Sequence, residues 1–180
     1  RQITSTICSL PKKIRKEIKI IQQVRKEDIE LVRKNYKIHD IESEVSTFYQ
    51  DISKKFQLAH LIITRSGGST VAEILASCRP AIFVPLPSSF DNHQYENAKI
   101  FETNNCGWVI DQINKDNSEF KSLLKNIINN PQKLIMASQK IKELSNRLSK
   151  IRNGETSSEF LKKIVLNITN DPKKEIKNSC

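Results

Sequence analysis

Apolar residues along the chain come in short bursts that switch between helical spacing and strand-like runs. Ile3 to Leu10 fits the end of a helix stopped at Leu10-Pro11, because a proline pushes the residue before it out of helical geometry. Ile18 to Val24 reads as a strand, and Glu27 to Asn35, with Ile29, Leu31 and Val32 on one side, as a helix. Ile41 to Phe48 alternates as a strand, and Tyr49 to Ala59 follows as an amphipathic helix. Leu61-Ile62-Ile63 is a β-branched strand, followed by a glycine-containing loop and a helix to Ser77 whose Val71, Ile74 and Leu75 recur at helical spacing. Ala81 to Val84 is an apolar strand closed by Pro85 and Pro87, which stiffen the loop from Pro85 to Asp91. A helix from Asn92 to Thr103 and a last short strand, Gly107 to Ile110, come next. Beyond Asn117 the pattern is helical: Ser118 to Asn129, Pro131 to Ile151 with proline at the first helical position, and Glu155 to Ile168. Asp171 to Cys180 reads as a charged, frayed tail.

Short strands that are apolar on both faces and alternate with helices predict an α/β domain, a doubly wound parallel sheet covered on both sides. The core domain is expected over residues 1–170. Sheets of this kind bind ligands beyond the carboxyl ends of their strands. Three segments fall there: Phe48-Tyr49, the loop Arg65 to Glu73, and Pro85 to Gln94. The loop carries two of the chain's four glycines. At such a strand-to-helix junction the free amides and positive end of the helix favour an anion, and glycine admits a phosphate closely. A Gly-Gly pair alone also fits an ordinary turn.

Composition narrows the field further. The 180 residues suit one domain of ordinary size, and 37% apolar content is enough for one core. No run approaches the roughly 18 apolar residues of a membrane span, and the first residues lack a secretory apolar core, so a soluble, cytoplasmic chain is expected. Cys8, Cys78, Cys106 and Cys180 form no Cys-x-x-Cys pair, which argues against a zinc site or a disulfide framework and for reduced thiols. The net charge of +10 admits nucleic acid, anionic lipid or a phosphorylated ligand. It is spread diffusely from Lys12 to Arg152, with no aromatic-flanked basic stripe, which counts against a nucleic-acid module.

The segments Arg65 to Glu73, Arg79 to Pro85 and Asp91-Asn92-His93-Gln94-Tyr95-Glu96-Asn97-Ala98, taken in order, resemble the carboxyl-terminal domain of the MurG family. The similarity runs from Gln22-Gln23 to Gln112, with weaker likeness in the flanking helices. The resemblance implies the carboxyl-terminal half of a GT-B fold. It implies an inverting hexosyltransferase that moves N-acetylglucosamine from UDP-N-acetylglucosamine to the lipid-linked muramoyl-pentapeptide precursor of peptidoglycan, without metal or other cofactor.

Carried over by position, the backbone of Gly68, Ser69 and Thr70 corresponds to the diphosphate-holding segment, and Glu73 to the carboxylate that accepts from both ribose hydroxyls. The competing reading of Glu73 is a capping box, since Thr70-x-x-Glu73 has that spacing. His93 and Gln94 correspond to polar contacts with the sugar hydroxyls, His93 standing where the family often has Gln. Phe48 and Tyr49 match the turn whose backbone reads the uracil edge. Arg65 either offsets phosphate charge or caps a strand end.

The resemblance assigns no catalytic residue to this chain, because the base and the acceptor-binding loop belong to the family's amino-terminal domain. The lipid-linked acceptor is an expected partner through that domain, the cytoplasmic face of the bacterial inner membrane is an expected peripheral partner, and nucleic acid is not expected. The sequence begins just after the point where the family's domain opens with a strand and glycine loop. This implies a fragment whose sheet lacks its first strand and which is inactive alone. Three alternatives remain: the same fold with different chemistry such as sugar-nucleotide epimerisation, a non-catalytic UDP-sugar-binding subunit that needs a partner chain, and a basic module for nucleic acid or membrane.

Overall fold

The computed structural model describes residues 1–86, 93–110 and 117–151, with residues 150 and 151 described by backbone alone. The expected helix over 155–168, the tail and most of the loop over 85–91 lie outside the described residues. Two compact units emerge, one of Arg1–Ala59 with Gln112–Leu134, the other built from His60–Asp111 and the chain from Ile135 onward.

In the first unit the elements are α1 (Gln2–Cys8), α2 (Lys12–Glu17), β1 (Lys19–Gln23), a 3-10 turn (Lys26–Asp28), α3 (Ile29–Ile38), β2 (Glu42–Ser46) and α4 (Ile52–Leu58). Strands β1 and β2 pair in parallel with Ile21 opposite Glu44, and the ladder continues with Val24 N–H donating to Ser46 C=O at 2.9 Å. Helix α3 packs on both β2 and α1. Its inward face carries Val32 and Tyr36, four residues apart and both fully buried, as helical periodicity requires. Tyr36 donates to Gln22 Oε1 at 2.5 Å, and Gln22 Nε2 reaches Thr4 Oγ1 at 3.3 Å, so a small polar network is satisfied inside an apolar setting. Burial raises the Tyr36 phenol to about 12.

The second unit alternates strand and helix: β3 (Ile62–Thr64), α5 (Gly68–Ser77), β4 (Ala81–Phe83), α6 (His93–Thr103) and β5 (Gly107–Val109). The three strands lie in the order β3-β4-β5, all parallel, with Thr64 opposite Phe83 and Phe83 opposite Val109. All of β4 is buried, which is why it reads as a continuous apolar run rather than an alternating one. Gly107 lies so close to Ala81 and Phe101 that an added Cβ would stand 3.0 Å from each. The remaining helices are α7 (Ser118–Ile128), which belongs to the first unit, and α8 (Pro131–Ile151). From Ile135 onward α8 buries Ala137, Ile141, Leu144 and Leu148 at spacings of four and three. Ser138 donates from it to Cys78 C=O at 2.7 Å.

The α/β class with parallel strands is as the apolar runs predict, and most elements fall within a few residues of their expected bounds. Helix α2 was not foreseen. It is six residues long, and Ile14 is its one buried residue, so it leaves no periodic signal.

Candidate functional site

Strand β3 ends at Thr64 and the chain turns through Arg65, Ser66 and Gly67 into α5. Gly67 is the residue before the helix, with φ −64° and ψ 151°, and no side chain among the described residues caps the helix start. The first intrahelical hydrogen bond runs from Val71 N–H to Gly67 C=O at 3.0 Å. The N–H groups of Gly68, Ser69 and Thr70 precede it and have no acceptor within the helix. Gly68 and Ser69 are exposed and Thr70 is half-buried. Among the described residues, a Cβ built on Gly67 meets no atom within 4 Å. Neither backbone angle nor packing demands glycine there, and what its small size provides is open approach to those amides.

The capping-box reading of Glu73 does not hold. Because α5 starts at Gly68, Thr70 lies inside the first turn rather than ahead of it, and Glu73 sits a turn further along. Glu73 is half-buried, and among the described residues its carboxylate takes no hydrogen bond or ion pair. It stands about 6 Å along the helix axis from Ser69, four residues at about 1.5 Å each.

The neighbouring strand end is tied to this loop. Val84 N–H donates to Thr64 C=O at 2.9 Å. Arg65 Nη1 donates to the carbonyls of Val84 at 2.7 Å and Pro85 at 2.9 Å, so of its two expected roles Arg65 takes that of capping a strand end. Ser66, fully buried, donates its hydroxyl to Gln94 C=O at 2.6 Å, and its own carbonyl accepts from Asn97 Nδ2 at 3.0 Å. The Gln94 side-chain oxygen accepts from Leu86 N–H at 3.1 Å. His93 is exposed at the first position of α6. Gly68, Ser69, Thr70, Glu73, His93 and Gln94 therefore all belong to the second unit. The sequence reading missed Ser66 and Asn97 as a linked pair. No signal in the sequence announced the pair, because Ser66 meets the backbone carbonyl of Gln94 and only Asn97 contributes its side chain.

Phe48 and Tyr49 belong to the first unit, after β2. The Phe48 ring is 70% exposed, so core packing does not account for it. Its backbone is engaged locally: Ser46 Oγ donates to Phe48 C=O at 2.8 Å and accepts from Phe48 N–H at 3.3 Å. Tyr49 donates to Glu44 C=O at 2.9 Å, and Lys55 Nζ lies 5.3 Å from its ring centroid while pairing with Glu44. Burial, with help from the Glu44 charge, raises the Tyr49 phenol above its ordinary value. Among the described residues no three His, Cys, Asp or Glu side chains gather as a metal set, and no helix is long and apolar enough to cross a membrane.

A parallel α/β unit with a helix start at the carboxyl end of a strand has the arrangement in which such folds hold anions and nucleotides. The chain is a member of the glycosyltransferase family 28 C-terminal domain family, which it matches over residues 1–175.

A relative from Wolbachia sp. subsp. Drosophila simulans (strain wRi) is 36% identical over 165 residues, 91% of this chain and 46% of its own length. It is called UDP-N-acetylglucosamine--N-acetylmuramyl-(pentapeptide) pyrophosphoryl-undecaprenol N-acetylglucosamine transferase. A relative of the same name from Rickettsia prowazekii (strain Madrid E) is 38% identical over 125 residues, covering 69% of this chain and 32% of its own. The crystal structure of Acinetobacter baumannii MurG superposes with a TM-score of 0.66 at 25% identity, over 77% of this chain and 43% of that one. The chain thus spans less than half the length of these relatives.

Proposed function

We propose that this chain is the donor-binding part of a transferase that moves N-acetylglucosamine from UDP-N-acetylglucosamine to a lipid-linked muramoyl-pentapeptide in peptidoglycan synthesis. The observation that carries the reading is the uncapped start of α5, where the amides of Gly68, Ser69 and Thr70 precede the first helical hydrogen bond within a family 28 domain. Those amides and the helix dipole suit a diphosphate, and no metal is needed for the charge they offset. Glu73, without a partner among the described residues, suits a ribose whose two hydroxyls donate to one carboxylate. Gln94 and His93 at the start of α6 suit the sugar hydroxyls. Phe48 and Tyr49 are carried as the uracil-reading turn, where the uracil edge would share Phe48 N–H and C=O with the Ser46 hydroxyl.

The transfer is read as an inverting displacement. A base from the amino-terminal half of the transferase takes the proton of the acceptor hydroxyl, and that oxygen attacks the anomeric carbon. The bond from the anomeric carbon to the diphosphate oxygen breaks, and UDP leaves with its charge held by the α5 amides. Residues of this chain then bind and orient the donor without carrying out transfer alone. In the cell such an enzyme works on the cytoplasmic face of the membrane, held there peripherally, in cell-wall growth that shapes and divides the cell.

Calorimetric titration with UDP-N-acetylglucosamine, UDP-glucose and GDP-mannose tests the reading. The uridine nucleotides should bind and GDP-mannose should not, and Glu73→Ala should weaken UDP by about 1–3 kcal/mol. No response to UDP, with tight binding to single-stranded nucleic acid that collapses with salt, would replace this reading with that of a basic interaction module.

A further inference from the structure

We propose that Ser66 and Asn97 are positioning residues that fix the sugar-contacting start of α6 against the diphosphate loop, and so set selectivity for the sugar of the donor. The inference rests on the donor-binding reading above and concerns two side chains which that reading leaves without a role.

Ser66 is joined to α6 at two points one turn apart. Its hydroxyl donates to Gln94 C=O at 2.6 Å, and its carbonyl accepts from Asn97 Nδ2 at 3.0 Å. A single bond would leave the helix free to rotate about it, whereas two bonds to one residue fix both the height and the rotation of the helix start. Ser66 is fully buried, so water cannot replace these bonds, and losing either leaves a buried polar group unpaired.

The restraint extends in a closed circuit. Gln94 Oε1 accepts from Leu86 N–H, Leu86 follows Pro85, and the Val84 and Pro85 carbonyls are held by Arg65, which is bonded in sequence to Ser66. The phosphate-facing loop, the end of β4 and the start of α6 are therefore mutually fixed before any ligand arrives. Preorganisation of that kind lets a few polar contacts discriminate, because a shift of a fraction of an ångström misplaces all of them together. It also sets the chemistry of Gln94. With its oxygen engaged by Leu86 N–H, its amide nitrogen is the group offered to a sugar, as a donor.

UDP and UDP-N-acetylglucosamine are the two probes, titrated into the full 180-residue chain and its variants. Ser66→Ala and Asn97→Asp should leave the Kd for UDP within about twofold and raise that for UDP-N-acetylglucosamine about tenfold, the size expected for one lost hydrogen bond. Gln94→Glu, which keeps the acceptor for Leu86 N–H and removes the donor, should show the same split. An equal loss for both probes would mean that Ser66 and Asn97 serve folding alone, and unchanged affinity for both would equally overturn the proposal. Should the variants fail to fold, hydrogen exchange on the unaltered chain decides. The Asn97 side-chain amide protons should exchange at least tenfold slower than those of an exposed Asn, and exchange at the exposed rate refutes the clamp. Failure of the unaltered chain to bind either probe would bring down the donor-binding reading itself, and the clamp with it. Binding without the split removes the clamp alone.

Discussion

Gly67 and Gly107 are glycines for opposite reasons, and the difference is measurable. At Gly107 an added Cβ would stand 3.0 Å from Ala81 C=O, 3.0 Å from Phe101 Cβ and 3.3 Å from Phe83 Cε2. The carbonyl is held in the β4–β5 ladder and cannot yield, so Gly107→Ala should destabilise by about 1–3 kcal/mol, read as a lower urea midpoint. At Gly67 the same Cβ meets open space among the described residues, and φ is already ordinary. Alanine there gains from a stiffer unfolded chain and loses as a poorer residue before a helix, effects of similar size, so stability should stay within about 0.5 kcal/mol. UDP affinity should nevertheless fall, because the methyl group stands in the approach to the α5 amides. A fall in stability without a fall in affinity would show that glycine serves the turn rather than the ligand.

Helix ends show what a chain with four glycines does when it needs left-handed backbone elsewhere. After α3, Asp40 has φ 53°, and Ile41 N–H donates to Tyr36 C=O at 3.0 Å. After α6, Asn105 has φ 52°, and Cys106 N–H donates to Phe101 C=O at 2.9 Å. Both are the six-to-one bond that closes a helix on a left-handed residue, with Asp and Asn tolerating the conformation glycine would adopt freely. Cys78 ends α5 at φ 51° without a side chain of that tolerant kind. Cys78→Gly should therefore stabilise the chain by about 0.5–1 kcal/mol in urea unfolding, and a loss would mean that the Cys78 side chain contributes more than the strain it carries. These ends were only partly legible. Arg79-Pro80 marked the end of α5, but nothing in the residue type of Cys78 announces a left-handed stop. The start of α5 admits two readings in the sequence, since Thr70-x-x-Glu73 has capping spacing, and the structure takes the other one by beginning the helix two residues before Thr70.

Each of the two units buries an acid that must stay protonated, which gives the molecule an alkaline limit. Burial raises the Tyr36 phenol from 10.0 to about 12 and the Cys106 thiol from 9.0 to about 12. A raised folded-state value stabilises the fold fully below the unfolded value and loses that contribution as pH climbs to the folded one. The Cys106 share is therefore lost from pH 9 upward and the Tyr36 share from pH 10, each on the order of 2–4 kcal/mol by pH 12. The thermal midpoint should fall across that range, and the Tyr36→Phe/Cys106→Ala double variant should fall less steeply. Equal slopes would show that neither group is protected in the fold. The amino-acid pattern determined most of the strands and helices of both units, α2 excepted, since burial on both faces leaves a continuous apolar run and burial on one face a helical stripe. It also located the Gly67–Glu73 corner, because a strand, a glycine pair and a helix in that order fix where free amides point. Tertiary structure alone decided that Ser66 meets Gln94 and Asn97, 28 and 31 residues away, and that Arg65 holds Val84 and Pro85 instead of standing free. Those pairings depend on β3 and β4 lying side by side in one register, and spacing along a single strand carries no information about which strand will be its neighbour.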